Sequence, residues 1–181
     1  MNHFYKLSAK TIDQKDFSFD QLKGLTVLIV NVASECGLTP QYAALEKIYE
    51  KYAPHQFQIL AFPANNFGAQ EPGTNEKIAD FCQSRFGVKF QMMSKISVLG
   101  SDIHPVYKYL INNSPETITI NGDYFEKDIA EFGFPRKHQN DILWNFEKFL
   151  INKSGQITHR FNPDVLPDHE ILLTALEKHL E

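Results

Sequence analysis

Two short, nearly unbroken apolar runs organise the first half of this chain. Residues 25–32 (Leu-Thr-Val-Leu-Ile-Val-Asn-Val) and 57–62 (Phe-Gln-Ile-Leu-Ala-Phe) are rich in β-branched and large apolar side chains. That is the pattern of strands buried on both faces. Between them, Thr39 and Pro40 read as an N-cap and first-turn proline. They open a helix running to Tyr52, with Tyr42, Leu45, Ile48, Tyr49 and Tyr52 on one stripe and Pro54 beyond its end. A second helix is predicted over 75–85, with Ile78, Phe81, Cys82 and Arg85 along one side and Gly87 as its stop. A third, shorter helix spans 105–111. The first twenty residues read as an edge hairpin of 4–9 with 16–19. Near the other end, 144–151 and 156–161 flank Asn152-Lys153-Ser154-Gly155, a strong hairpin signal. The last helix, 168–180, places Ile171, Leu172, Ala175, Leu176 and His179 on one face. Residues 114–141 show no period; a polar stretch of this length with scattered aromatics reads as an irregular functional or mobile segment.

The order is strand, helix, strand, helix, a crossover, then two strands and a helix. It fits a thioredoxin-like α/β fold with a central mixed β-sheet flanked by helices. A length of 181 residues with 43% apolar and 22% charged side chains suits one domain over 1–181. The net charge of −4 disfavours a nucleic-acid partner, which needs a basic face. The longest apolar stretch, 25–30, is far short of the roughly 18 residues a membrane span requires. Residues 1–6 (Met-Asn-His-Phe-Tyr-Lys) lack the basic-then-apolar pattern of a secretory signal, so the expected location is cytoplasmic. The net charge is compatible with a monomer or weak oligomer.

Two cysteines, Cys36 and Cys82, are too few for a disulfide scaffold, and no Cys-x-x-Cys pair is present. The seven histidines are scattered, so no metal site is expected. His104 and His169 fall at helix starts and His159 in a strand, places where packing and capping use histidine. Cys36 is different. It lies in the loop between a buried strand and a helix start, at the carboxyl end of the strand, where open α/β sheets bind ligands. Free N–H groups at a helix start favour a thiolate. The competing reading is a small buried hydrophobe, the common fate of a free cysteine.

Three segments bear on that choice. Asn31-Val32-Ala33-Ser34-Glu35-Cys36-Gly37-Leu38-Thr39 resembles the reactive cysteine or selenocysteine motif of the glutathione peroxidase family. Phe62-Pro63-Ala64-Asn65-Asn66-Phe67-Gly68-Ala69-Gln70-Glu71-Pro72-Gly73 is similar to that family's second signature, and Trp144-Asn145-Phe146-Glu147-Lys148-Phe149-Leu150 to its third. They occur in the family order, and the likeness runs nearly end to end. It implies a thiol peroxidase that reduces hydrogen peroxide and organic or lipid hydroperoxides. Cys36 would be the nucleophile, with Gln70, Trp144 and Asn145 completing the catalytic tetrad. Their amide and indole N–H groups are neutral donors for a thiolate and a leaving alkoxide. By the same resemblance Cys82 would be the resolving cysteine, forming a Cys36–Cys82 disulfide after local unwinding of 75–90. No cofactor is implied; thioredoxin or glutathione would supply electrons.

The chain departs from the family pattern in places. Ala64 stands where cysteine is frequent, Asn66 where glutamine is usual, and Gln91-Met92-Met93 where Pro-Met-Phe is usual. Arg85, Arg136 and Arg160 are the only arginines and are dispersed, so the arginine cluster that selenium-containing relatives use for glutathione is missing. This favours thioredoxin. The extended 114–141 segment resembles the form in some bacterial members. A thiol redox relay to partner proteins would use the same residues and stays open. A copper chaperone needs closely spaced cysteines with a histidine, and a peroxiredoxin needs Pro-x-x-x-Thr-x-x-Cys; neither pattern is here.

Overall fold

The structure, a computed structural model, describes residues 2–180. Its centre is a six-stranded mixed sheet. The two long apolar runs form β3 (Thr26–Val32) and β4 (Phe57–Pro63), paired parallel from Thr26–Phe57 to Val32–Pro63. Every residue of β3 is buried, which is why its sequence shows no alternation. The strands β5 (Gln91–Met92), β6 (Thr117–Ile118), β7 (Lys148–Ile151) and β8 (Ile157–Phe161) complete the order β5-β4-β3-β7-β8-β6. β7 runs antiparallel to both β3 and β8; β5 and β6 are parallel to their neighbours. The hairpin of β1 (Ser8–Lys10) and β2 (Asp16–Ser18) forms separately, with Ala9 opposite Phe17.

Helices flank the sheet: α1 (Gln41–Tyr52), α2 (Asn75–Phe86), α3 (Pro105–Asn113), α4 (Tyr124–Glu131) and α5 (Glu170–Leu180). Tyr42 of α1 is fully buried and stacks on Phe86 of α2, their centroids 5.3 Å apart, with its edge against Phe146 at 5.6 Å. Tyr107 of α3 meets Phe62 of β4 and Phe149 of β7 edge-on. Such pairs contribute about 0.5–1.5 kcal/mol each beyond the area they bury. Gly87 ends α2 in the left-handed region, as its position predicts. His104 and His169 accept N–H bonds from Val106 and Ile171, and His159 stacks on Phe161. No helix among the described residues is long and apolar enough to cross a membrane.

Several elements differ from expectation. The strand predicted over 144–151 starts only at Lys148, because 144–147 is a turn with Phe146 at φ 67°. Its cause is a distant bond: the Phe146 N–H donates to the Asn31 carbonyl at 2.6 Å. The segment 114–141, read as irregular, contains β6 and α4, the first held by pairing with β8 and the second carrying the buried Ile129. β5 has only two residues and exists through its pairing with β4. Ile171 is 37% exposed rather than on the buried face of α5, which is Leu172, Ala175 and Leu176. Arg85, set on the apolar side of α2 by its spacing, is exposed.

Below the sheet's β7 end lie two buried cations. Arg160 Nε donates to Glu147 Oε1 at 2.5 Å, both side chains at most 3% exposed. Arg160 Nη2 also donates to the Asp141 carbonyl, and Glu147 Oε2 accepts the Leu143 N–H at 2.7 Å. Lys148 is fully buried, donating to the carbonyls of Pro163 and Val165 at 3.2 and 2.6 Å. Burial pushes this ammonium down to about 7, against attraction from Asp164 and Glu147. Between about pH 7 and 10.5 the unfolded chain therefore holds a proton here that the folded chain has released. Stability from this residue rises with pH across that window. Lys148→Met is expected to flatten the rise, measured as the difference between wild-type and variant urea-unfolding free energies at the two ends of the window.

Candidate active site

The carboxyl end of β3 continues into a buried loop, and its side chains answer the loop's polar backbone. Thr39 Oγ1 accepts the Cys36 N–H at 3.0 Å and donates to the Ala33 carbonyl at 2.8 Å. Thr39 therefore clamps the cysteine loop and does not cap α1, whose cap position is Pro40 with no side-chain bond. Cys36 is 8% exposed, a free thiol, and its Sγ accepts the Leu38 N–H at 3.3 Å.

Gln70 reaches the same region from the loop after β4. Gly68 and Ala69 both take positive φ, 61° and 51°, and turn the chain sharply before Gln70. Glycine serves the left-handed conformation at 68, where a Cβ would meet the Gln70 side chain at ordinary contact distance, 3.4 Å. The Gln70 carbonyl accepts the Glu35 N–H at 3.0 Å, joining this loop to the one carrying Cys36. Gln70 Oε1 accepts from Asn145 Nδ2 at 3.0 Å, which leaves the Gln70 amide N–H groups to donate elsewhere.

Asn145 is fully buried and Trp144 is 7% exposed. Their turn is tied to the end of β3 twice, by the Phe146 N–H already described and by Asn31 Nδ2 donating to the Trp144 carbonyl at 3.0 Å. Phe67 and Phe134 pack on the indole, with centroids 5.3 and 5.1 Å away. Beside these two rings is a cavity of about 740 Å³, its apolar wall made of Phe67, Leu99, Phe134, Ile142 and Leu143. Three segments far apart in sequence thus meet where β3 ends, linked through Glu35–Gln70, Gln70–Asn145 and Asn31–Trp144.

Cys82 stands apart from this group. It is a free thiol on α2, 1% exposed, with the Tyr42 hydroxyl close by. Burial pushes its thiol up to about 11, the charge of Glu71 adding to the effect. Residues that sequence reasoning passed over are Asn31, Thr39 and Glu71. Thr39 carried a signal, its place three residues after Cys36, but a Thr-Pro pair before a helix reads first as a cap. Among the described residues no group of three or more His, Cys, Asp or Glu is placed to hold a metal ion.

The pattern of the glutathione peroxidase family matches residues 4–111. A glutathione peroxidase-like peroxiredoxin of Schizosaccharomyces pombe is 44% identical over 169 residues, 93% of this chain and 94% of that protein. The chain belongs to the glutathione peroxidase family. It is a peroxidase of the thiol-dependent, glutathione peroxidase-like kind. The thioredoxin/glutathione peroxidase of Escherichia coli is 40% identical over 169 residues, 93% of this chain and 92% of its own. In structure, a glutathione peroxidase from T. cruzi superposes with a TM-score of 0.69 at 30% identity, covering 98% of this chain and 95% of that one. A thioredoxin-family thiol:disulfide interchange protein of Chlorobium tepidum, at 15% identity, shares the fold with a TM-score of 0.60 over 97% and 93% of the two chains. The family's thioredoxin-like sheet is therefore the fold of this glutathione peroxidase homologue.

Thr39→Val keeps the shape but removes both the acceptor for the Cys36 N–H and the donor to Ala33. It is expected to cost about 2 kcal/mol of stability, the penalty for stranding buried polar groups. It is also expected to slow oxidation of Cys36 by peroxide. Chemical denaturation and a peroxide-reaction rate measured on the same preparation check the two effects.

Proposed function

We propose that this protein reduces hydrogen peroxide and organic hydroperoxides through Cys36, Gln70, Trp144 and Asn145, with Cys82 resolving and thioredoxin as the preferred reductant. The observation that carries this reading is the convergence on the end of β3: a cysteine whose sulfur accepts an amide N–H, beside a Gln70–Asn145 pair and the Trp144 turn. The Cys36 thiolate attacks one peroxide oxygen, the O–O bond breaks, and the departing alkoxide takes a proton to leave as alcohol or water. Amide and indole donors stabilise the charge at both ends of that displacement. Cys36 is left as a sulfenic acid. The Cys82 thiol then displaces its hydroxyl as water and closes a disulfide, which a dithiol reductant reopens. Every step is carried by sulfur, so no metal, haem, flavin or nucleotide is required. A cytoplasmic setting would keep both thiols reduced between cycles.

The arginines support thioredoxin over glutathione. Arg160 is buried on Glu147, Arg136 is paired with Glu126, and only Arg85 is left exposed on α2. A carboxylate-rich tripeptide finds no cluster of free guanidinium groups here. The relative from Escherichia coli, whose name joins thioredoxin and glutathione, makes both donors worth assaying side by side.

The decisive assay follows peroxide-dependent NADPH consumption through thioredoxin and its reductase, beside glutathione and its reductase. Cys36→Ser is expected to fall to background with both donors, and Cys82→Ser to lose the thioredoxin-linked activity. Activity surviving in Cys36→Ser removes the proposed nucleophile. Glutathione turnover that is indifferent to Cys82→Ser makes Cys82 a core residue.

The cavity beside Trp144 supports the wider substrate range, because its apolar wall suits a hydrocarbon chain attached to the peroxide. Phe134→Ala is expected to lower kcat/KM for a long-chain hydroperoxide by roughly 10-fold. Hydrogen peroxide, which has no chain to place, should keep its value; equal losses for both substrates would remove the cavity from substrate binding.

A further inference from the structure

The apolar cavity beside Trp144 has a charged side that the peroxidase chemistry leaves unused. Phe67, Leu99, Phe134, Ile142 and Leu143 form its apolar wall, while Arg136, Lys137, His138 and Asp141 form the rest of its largest boundary. Residues 133–143 thus bring both kinds of surface to one space. The other lining residues come from 66–67 and 99–101, and none from α2. Local unwinding of 75–90 therefore leaves this cavity as it is.

The charges along it are not equally committed. Arg136 is mostly buried and gives its Nε and Nη2 N–H groups to the two carboxyl oxygens of Glu126, at 2.9 and 2.5 Å. That pair is neutral as a unit. Asp141 Oδ2 accepts the His138 N–H at 3.1 Å, and the Asp141 N–H donates back to the His138 carbonyl at 2.9 Å. These two bonds close 138–141 into a turn, and the Asp141 carboxylate is taken up by the backbone. Lys127, on the preceding helix, is paired with Asp123. Lys137 is the exception. It is exposed, and among the described residues no carboxylate lies within ion-pair distance of it.

An uncommitted ammonium at the edge of an apolar cavity favours one kind of occupant. Pockets of this sort hold a ligand through their apolar walls and orient it through a few placed polar groups. A hydrocarbon chain that ends in an anion uses both surfaces here, whereas a neutral chain uses only the wall. The geometry sets the spacing as well. Phe134 packs on the Trp144 indole with centroids 5.1 Å apart, and Lys137 follows three residues later, at most about 10 Å of extended chain. A peroxide at the Trp144 end and a carboxylate at the Lys137 end are thus separated by a run of several methylenes. We propose that this cavity selects hydroperoxides of free fatty acids over their neutral esters, with Lys137 as the residue that recognises the carboxylate. The inference deepens the peroxidase reading and rests on it. The reaction at Cys36 is the same for either substrate; Lys137 decides which chain is held. Asp141 opposes the attraction, and the pairing of Arg136 with Glu126 leaves Lys137 to carry it.

The test compares kcat/KM for three substrates: a hydroperoxide of linoleic acid, its methyl ester, and hydrogen peroxide. The full-length protein is used, and both lipids are kept below the concentration at which they form micelles. A carboxylic acid is ionised at neutral pH, so the two lipids differ there by one charge on the same chain. Wild type is expected to prefer the acid roughly fivefold, the upper range for an ion pair that faces solvent. Lys137→Gln should bring acid and ester within about twofold of each other, and Lys137→Glu should favour the ester. Because Lys137 is exposed and unpaired, both variants should fold as the wild type does, and turnover of hydrogen peroxide should stay within about twofold in each. Salt gives a second readout that a packing role would not produce. Raising it from about 20 to 500 mM should erase the wild-type preference while leaving the ester nearly unchanged.

Equal kcat/KM for acid and ester in the wild type overturns the proposal, and so does a preference that survives in Lys137→Glu. Parallel losses for acid and ester in the Lys137 variants overturn it too, by making the residue part of the wall. A wild-type protein that turns over none of the three substrates fails at Cys36, which is the failure of the peroxidase reading and takes the proposal with it. Hydrogen peroxide turnover without discrimination between the lipids removes only the role of Lys137.

Discussion

Where β3 stops, the chain stays buried, and a buried backbone must have its N–H and C=O groups paired. Two side chains meet that demand. Asn31 reaches across to the Trp144 carbonyl while its own carbonyl takes the Phe146 N–H. Thr39 closes the loop between Ala33 and Cys36 from inside. Neither residue touches a substrate in the proposed cycle, yet removing either pairing would release the cysteine loop or the Trp144 turn. The same bonds that keep this region from costing several kcal/mol in stranded polar groups also set where the chemistry can occur. Stability and positioning are one requirement here.

How much of this could be read beforehand depends on the range of the forces involved. β3, β4 and α1 were legible because apolar runs and a stripe at helical spacing are local patterns. The Trp144 turn was not, since Trp-Asn-Phe-Glu-Lys-Phe-Leu alternates like a continuing strand. Its bonds to Asn31, more than a hundred residues away, accompany the positive φ of Phe146. The two-residue strands β5 and β6 have no pattern of their own and exist by pairing to a neighbour. Within the site, Cys36 was legible by position, whereas Gln70, Trp144 and Asn145 stood out through motif resemblance alone. Thr39 was visible but assigned to the wrong neighbour, and Glu71 carried no signal beyond its place in a polar, glycine-rich loop.

The buried charges divide in a similar way. Arg160 and Glu147 are mutually satisfied and take further bonds to Asp141 and Leu143, as a buried ion pair must if its desolvation is to be offset. Lys148 has only carbonyls to donate to and shifts its ionisation. Glu147 closes the Trp144 turn and Lys148 follows it directly, so both anchor its trailing end. That part of the third motif is concerned with holding the turn, and the first two residues with what it presents.

Glu71 lacks that kind of satisfaction, and the contrast is informative. A glutamine there would fill the same volume without the cost of a buried carboxyl, so stability alone favours the amide. The bonds to Asn65 and Lys95 cannot account for a carboxylate, since they use only the backbone of residue 71. What distinguishes glutamate from glutamine is the ability to take up and give back a proton. Burial and the charge of Glu71 together hold the Cys82 thiol above its ordinary range, against the bond from Tyr42.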